Sequence, residues 1–320
     1  MSLAASGQAI NSFREIVSPI DEMMLANGNY LFVYDLHFAP LKPHSDLMGL
    51  KGGVKKMTQT ITVTKDNLYD YVYSNGEYID TVYFTQAGNV SQIKYYVNAE
   101  SILSFGGSSV VVTYDDNNRI NDMREYSLTN IYDKMVNRMD VTQYTYSADG
   151  KLQSEIYNMY NQEDDKWVMV ESFKDQLEMG YYYDAQGRLS MAKKFLLNGD
   201  FHYNSHGMLS KIVDGGITTG EFNYDDNDRL SHYYTFMVDD GLEESTNYRC
   251  DVQLTRNDKG DIVRAVKTQS ECNDIWRIVK KGLPKTFVVS YVYDNKGNWT
   301  KATLKRGNIT VATIKRSFVY

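Results

Sequence analysis

The chain has 320 residues, long for one ordinary domain and short for three, and its 42% apolar and 23% charged residues suit a folded protein rather than a disordered one. Its 34 basic and 41 acidic residues give a net charge of −7, which disfavours nucleic acid as a partner, because displacing counterions from phosphate needs a basic surface. No apolar run of about 18 residues supplies a transmembrane helix, and two cysteines build neither a disulfide scaffold nor a four-ligand zinc site.

Residues 1–50 read as a separate N-terminal segment. Met1-Ser2-Leu3 looks like an expression leader, standing where a signal segment has been removed. A helix is expected over Asn11–Met24, then a loop rich in proline and histidine, with strand from Tyr34 onward. The segment is read as a cap or plug for the sheet formed by the rest of the chain. Residues 51–320 read as one domain, opening with KKMTQTITV and LYDYVYS as a first strand pair.

From there one short motif recurs eight times. It starts at Phe84, Tyr114, Tyr146, Tyr183, Tyr203, Tyr224, Arg256 and Tyr293, at intervals of 30, 32, 37, 20, 21, 32 and 37 residues. Its last position (Val90, Ile120, Leu152, Leu189, Leu209, Leu230, Ile262, Trp299) is apolar in every copy. So is the residue two before its start (Val82, Val112, Tyr144, Tyr181, Phe201, Phe222, Leu254, Tyr291). Eight of eight at a 42% background has a chance on the order of 0.001, and the period of two buries one face of a strand. The second position (Thr85, Asp115, Ser147, Asp184, Asn204, Asp225, Asn257, Asp294) starts a turn by folding its side chain onto the backbone. Three residues on, Gly88, Asn118, Gly150, Gly187, Gly207, Asp228, Gly260 and Gly297 fill a slot that needs positive φ. Each copy is therefore a β-hairpin, with Tyr183 opposite Leu189 and Tyr181 opposite Met191. No proline interrupts His44 to Leu283. The expected fold is all-β: consecutive antiparallel hairpins, about 16 strands plus a pair, in one wide rolled or barrel-like sheet with all motif turns along one rim.

The motif Y-D-x-x-G-R-L, nearest to form at Tyr183–Leu189 and Tyr224–Leu230, resembles the repeat of the RHS/YD-repeat family, which includes bacterial RHS proteins, insecticidal toxin-complex shells and teneurins. The opening Leu50–Lys56 and the closing Tyr293–Thr300 resemble the ends of short secreted members. The resemblance implies hairpins winding into a shell and a secreted, periplasmic or cell-surface location. No toxic cargo or self-cleavage segment follows the last copy, so toxin delivery is not carried over.

Chemical motifs are few. The acidic stretches Asp115–Asn118 and Asp225–Asp228 lack the ligand spacing of a calcium loop and fall in turn slots. The histidines His37, His44, His202, His206 and His232 show no metal-binding spacing. No nucleophile elbow, P-loop or dinucleotide fingerprint occurs, and no cofactor, metal or catalytic residue is expected. A hydrolase assembled from distant carboxylates is the third reading. Cys250 and Cys272 flank one turn, and Cys250 is expected to face Lys267 or Thr268, which leaves two buried thiols unless a bulge brings them together.

The rim opposite the motif turns varies from tight connections to long arms through Asn161–Lys166, Asp239–Glu244 and Cys272–Lys285. Tyr160, Trp167 and Trp276 lie beside these arms, with Tyr160 and Trp167 on one face, and they are the candidate ligand-binding residues for a glycan or a protein partner. The plainer reading is a cross-strand aromatic pair that closes the end of a hairpin. Function therefore reads first as a non-enzymatic secreted or envelope binding and scaffold module, and second as a shell or immunity-like component acting with another chain.

Overall fold

A computed structural model describes residues 50–63, 76–99, 109–131, 134–174, 176–187, 189–194, 197–206, 209–214, 216–226, 229–240, 245–273 and 277–320. The helix expected over Asn11–Met24, the strand from Tyr34 and the LYDYVYS strand lie outside these residues, as does the cap reading of the N-terminal segment.

The motif turns form as their chemistry requires. In the second copy Asn118 donates its backbone N–H to the Asp115 carbonyl at 2.9 Å, and the Asp115 carboxylate accepts the backbone N–H groups of Asn117 and Arg119. Asn257 and Asp294 cap their turns the same way, while Thr85 and Ser147 do so with hydroxyls. Positive φ occurs at Gly88, Asn118, Gly150, Gly187, Gly260 and Gly297, between 62° and 90°. Gly207 and Asp228 lie outside the described residues. At every copy the register shifts at the motif's first residue, the mark of a bulged hairpin. Tyr183 accordingly faces Leu189, but the bulge adds one residue, so Tyr181 faces Ala192 rather than Met191.

Among the described residues twenty strands result. They are β1 (Lys56–Val63), β2 (Gly76–Phe84), β3 (Val90–Ala99), β4 (Ser109–Tyr114), β5 (Ile120–Ile131), β6 (Lys134–Tyr146) and β7 (Leu152–Glu163). Next come β8 (Lys166–Met169), β9 (Gln176–Tyr183), β10 (Leu189–Lys194), β11 (Leu197–Tyr203), β12 (Leu209–Asp214), β13 (Ile217–Tyr224) and β14 (Leu230–Asp240). The last are β15 (Ser245–Arg256), β16 (Ile262–Cys272), β17 (Ile278–Lys280), β18 (Lys285–Tyr293), β19 (Trp299–Arg306) and β20 (Ile309–Val319). Consecutive strands pair antiparallel, β7 pairs with β9 past the short β8, and β16 pairs with β18 past the short β17. β20 returns to β1, so the sheet closes into an antiparallel barrel of 18 strands. Sixteen come from the motif hairpins, and β1 and β20 complete the ring. The partner of β1 is β2 itself, not a separate hairpin strand. In such a ring every motif turn falls on one rim and every other connection on the opposite one.

The wall is apolar inside and polar outside. Val82, Ile93, Leu152, Tyr233 and Val252 form one buried cluster with the opening residues Leu50 and Val54. Ile262, Phe287, Leu304 and Ile314 form a second, and Leu254 touches both. Side chains of opposite parity on the same strands, among them Gln143, Gln253, Lys301, Lys305 and Lys315, are exposed.

Tyrosines fasten three of the hairpins to the one before. Tyr114 Oη donates to the Val90 carbonyl at 2.5 Å, Tyr146 to Ile120 at 2.8 Å and Tyr183 to Leu152 at 2.9 Å. Each acceptor is the apolar last residue of the preceding copy. The one non-aromatic copy keeps the contact, since Arg256 donates to the Leu230 carbonyl at 3.4 Å. Basic residues add a second tie: Arg119 lies 4.5 Å from the Tyr146 ring centroid, and Lys151 lies 5.5 Å from that of Tyr183.

The segment before β1, the β18–β19 turn and Tyr320 meet at a clasp. Lys51 donates its backbone N–H to Asn298 Oδ1 at 2.7 Å, and Asn298 Nδ2 donates to the Lys51 carbonyl at 2.9 Å. Tyr320 Oη donates to Asp294 Oδ2 at 2.6 Å beside them. The buried Asn298 holds two backbone groups at once, so Asn298→Ala is expected to cost about 1–3 kcal/mol. Asn295→Ala, in the exposed part of the same turn, is expected to change the thermal midpoint little. At Gly187 an added Cβ would meet only the flexible end of Lys151 at 3.2 Å, so any loss there reports backbone strain. Gly187→Val is expected to cost about 1–3 kcal/mol, and Gly187→Asn clearly less, because Asn118 holds the same slot at φ 62°. Equal losses in thermal melts would contradict the turn assignment.

Candidate binding surface

The variable rim carries the long arms. β10–β11 and β12–β13 are short, whereas β5–β6 and β7–β8 rise past them. The β7–β8 hairpin turns on Asp164 and Asp165, at φ 46° and 63°, a two-residue turn with both residues left-handed. Aspartate tolerates that conformation better than bulkier side chains do.

On the outer face of these arms Tyr126, Met139, Tyr160 and Met169 stand side by side across β5, β6, β7 and β8. Trp167, opposite Gln162, shares that face with Tyr160, as the alternation predicts. Its ring, however, packs on Tyr126, with centroids 5.8 Å apart at 60°. Met139, in register with Tyr126 and Tyr160, is buried although it points outward. Asn137 Nδ2 donates to Gln162 Oε1 at 2.6 Å on the same side. Trp167 thus ties one arm to another while 37% of its surface stays open to solvent.

The inner face of the same strands turns polar. Arg138 Nε donates to Asp140 Oδ1 at 2.8 Å and its Nη2 to Tyr157 Oη at 2.8 Å, while Tyr157 donates to the same carboxylate oxygen at 2.5 Å. Burial alone would lower the Arg138 guanidinium, but the bond to Asp140, its charge and the Tyr157 phenol together raise it. Burial, then the Asp140 bond, raises the Tyr157 phenol. Neither group gives up a proton near neutrality. Nearby, Tyr181 Oη donates to the buried Glu155 at 2.5 Å.

Of the candidate residues, Tyr160 and Trp167 share a surface, and Trp276 lies outside the described residues. Trp299 packs against the core, with Arg316 3.4 Å from its ring centroid. Sequence reasoning missed Tyr126, since its partner sits three strands away, and the Arg138–Asp140–Tyr157 cluster, whose members come from two strands. The alternation on β6 and β7 was the one available signal. Asp115 pairs with Arg119 at 2.6 Å within its turn, so the acidic stretch serves the hairpin. His202 and His206 are exposed, and no group of three or more histidine, cysteine or acidic side chains suited to a metal occurs among the described residues. Cys250 is in register with Gln269, not Lys267 or Thr268, and Cys272 with Asn247. The two thiols fall on opposite faces of the β15–β16 hairpin and are buried, with no disulfide between them.

No family model and no curated protein sequence matches the chain. Among solved structures it is similar to a porin-like protein from Bacteroides uniformis ATCC 8492, with TM-score 0.27 and 8% identity over 84% of this chain and 99% of that one. A porin-like protein from Bacteroides vulgatus ATCC 8482 gives 0.27 and 9% over 83% and 98%. TcdB2-TccC3-TEV gives 0.25 and 9% over 75% of this chain and 15% of that one. Scores this low carry no argument, and the barrel rests on its own strand pairing.

The tyrosines have a consequence for alkaline stability. Burial holds Tyr114, Tyr144, Tyr146, Tyr183 and Tyr291 above their ordinary value. Burial and the bond to Asp261 push Tyr293 up to about 12. Above pH ~10 the unfolded chain releases protons that the folded chain keeps. Their contribution is therefore complete below pH ~10 and is lost as pH rises, by about 1.4 kcal/mol per pH unit for each such tyrosine. The thermal midpoint is expected to be insensitive to these groups from pH 7 to 9 and to fall steeply above 10. Phenolate absorbance should appear together with unfolding. Ionisation of these rings near pH 10 in an intact barrel would contradict the fastening role.

Proposed function

We propose that the chain is a non-enzymatic YD-repeat barrel acting as a binding and scaffold module outside the cytoplasm, which takes a glycan or protein partner on the outer face of the β5–β8 arms. The observation that carries this reading is Trp167, a large ring fixed against Tyr126 yet 37% exposed, on an arm the hairpin repeat does not require. The motif turns are occupied by hairpin closure, which leaves recognition to the opposite rim. The repeat itself supports the YD-repeat assignment. The outer wall supports an aqueous setting: exposed Lys301, Lys305 and Lys315 stand where a membrane-crossing barrel presents an apolar band.

The test is a titration of the whole chain against panels of oligosaccharides and envelope proteins, read by tryptophan fluorescence and calorimetry. Trp167→Ala should weaken binding at least tenfold and Tyr160→Ala less, with the far-UV dichroism of both variants unchanged. Undiminished binding by a folded Trp167→Ala variant would move the site elsewhere on the rim. Absence of any ligand would favour a shell component that works with another chain.

A further inference from the structure

Two strands lie outside the closed ring, and both sit on the variable rim. β8 pairs only with β7 and β17 only with β16 among the described residues, so each shows one unpaired edge there. Such edges are templates for another strand, and soluble proteins normally shield them. Here they are left with apolar side chains in water: Trp167 and Val168 on β8 (Val168 41% exposed), and Ile278 and Val279 on β17 (45% and 64%), with Leu283 just beyond at 85%.

The two arms carry opposite charge. Beside β8 stand Glu163, Asp164 and Asp165, all exposed, against one exposed basic residue, Lys166, so the arm is acidic on balance. Around β17 stand Arg277, Lys280, Lys281 and Lys285, also exposed, and of these Lys280 holds Glu271 on the neighbouring strand at 2.6 Å. Along the wall β7 and β16 are eight strand steps apart in one direction and ten in the other. The arms therefore rise from nearly opposite sides of the rim. Gly282 fixes the basic arm in place, because a Cβ there would lie 1.7 Å from the Gln269 carbonyl oxygen.

We infer that the occupant of each edge is a second copy of this chain, the acidic β8 edge of one molecule adding as a strand to the basic β17 edge of the next. Main-chain hydrogen bonds supply the pairing, and the opposite charges choose β8–β17 over β8–β8 or β17–β17. Because the two edges differ and lie across the rim from each other, the contact is head-to-tail and leaves each new molecule with one open edge. The inference stands independently of any ligand for Trp167.

The experiment is sedimentation velocity on the full chain from about 1 to 200 μM, at low and at 0.5 M NaCl. The expected result is mass growth past a dimer with concentration, and a shift of the half-association point by about tenfold or more in high salt, where exposed charges are screened. Val168→Asp and Val279→Asp are each expected to remain single chains. Mixed in equal amounts, they should give a two-chain species and nothing larger, since each supplies one intact edge. If either variant loses the barrel's far-UV signal, Lys281→Glu replaces Val279→Asp, and Asp164→Asn with Asp165→Asn replaces Val168→Asp. A wild-type chain that stays single throughout overturns the inference. So do folded variants that still associate alone, or a mixture that does not pair. Ligand binding by Val279→Asp at the Trp167 surface should match wild type, which separates failure here from failure of the binding role.

Discussion

The fold depends on a lateral hydrogen bond from a tyrosine hydroxyl to the backbone carbonyl that ends the previous hairpin. A β-hairpin satisfies its own inner ladder but leaves two edges, and neighbouring hairpins of unequal length have little to fix their mutual register. Tyr114, Tyr146 and Tyr183 supply that register from the constant rim, and in the last copy Tyr291 reaches the Ile262 carbonyl in place of Tyr293. The acceptor belongs to the residue after the turn, so turn and fastening come from one seven-residue motif. Arg256 shows that what matters is a long donor reaching that carbonyl, not aromaticity.

The constant rim in turn frees the other. Once the turns, bulges and tyrosines set the wall, the connections across the barrel are free to vary in length, and β5–β6, β7–β8 and β14–β15 become arms while β10–β13 stay short. The β1–β20 ladder closes the ring, so that no strand of the wall is left at an edge, and the clasp at Lys51, Asn298 and Tyr320 secures the entry to β1 beside it. The remaining edges belong to β8 and β17, the two strands outside the ring. Both strands carry exposed apolar side chains, and the residues beside them differ in charge.

The polarity of the wall is also informative. Its inner face is apolar near the motif turns and carries Arg138, Asp140 and Tyr157 further along β6 and β7, where hydrogen bonds among the three satisfy their charges. Its outer face mixes charged side chains such as Lys301, Lys305 and Lys315 with exposed Tyr182, Val288 and Val292.

The sequence by itself determined the hairpins, their count, the single rim of turns and the apolar face, because each depends on residues a few positions apart whose backbone demands are local. Asn118 in the glycine slot and Tyr160 sharing a face with Trp167 were legible for that reason. It also placed Cys250 within two residues of its true partner, missing only the extra residue that a bulge inserts. Tertiary structure alone decided the rest. Ring closure needed β1 to pair with β20 from the far end of the repeats, and the clasp needed Lys51 and Asn298, 247 positions apart, to meet. The contact of Trp167 with Tyr126 needed the arms to bring β5 and β8 together. The edges of β8 and β17 were invisible because a strand's neighbours are set by the whole sheet. Local pattern specifies conformation, whereas these contacts depend on how far the completed wall curves, a quantity no short stretch of chain contains.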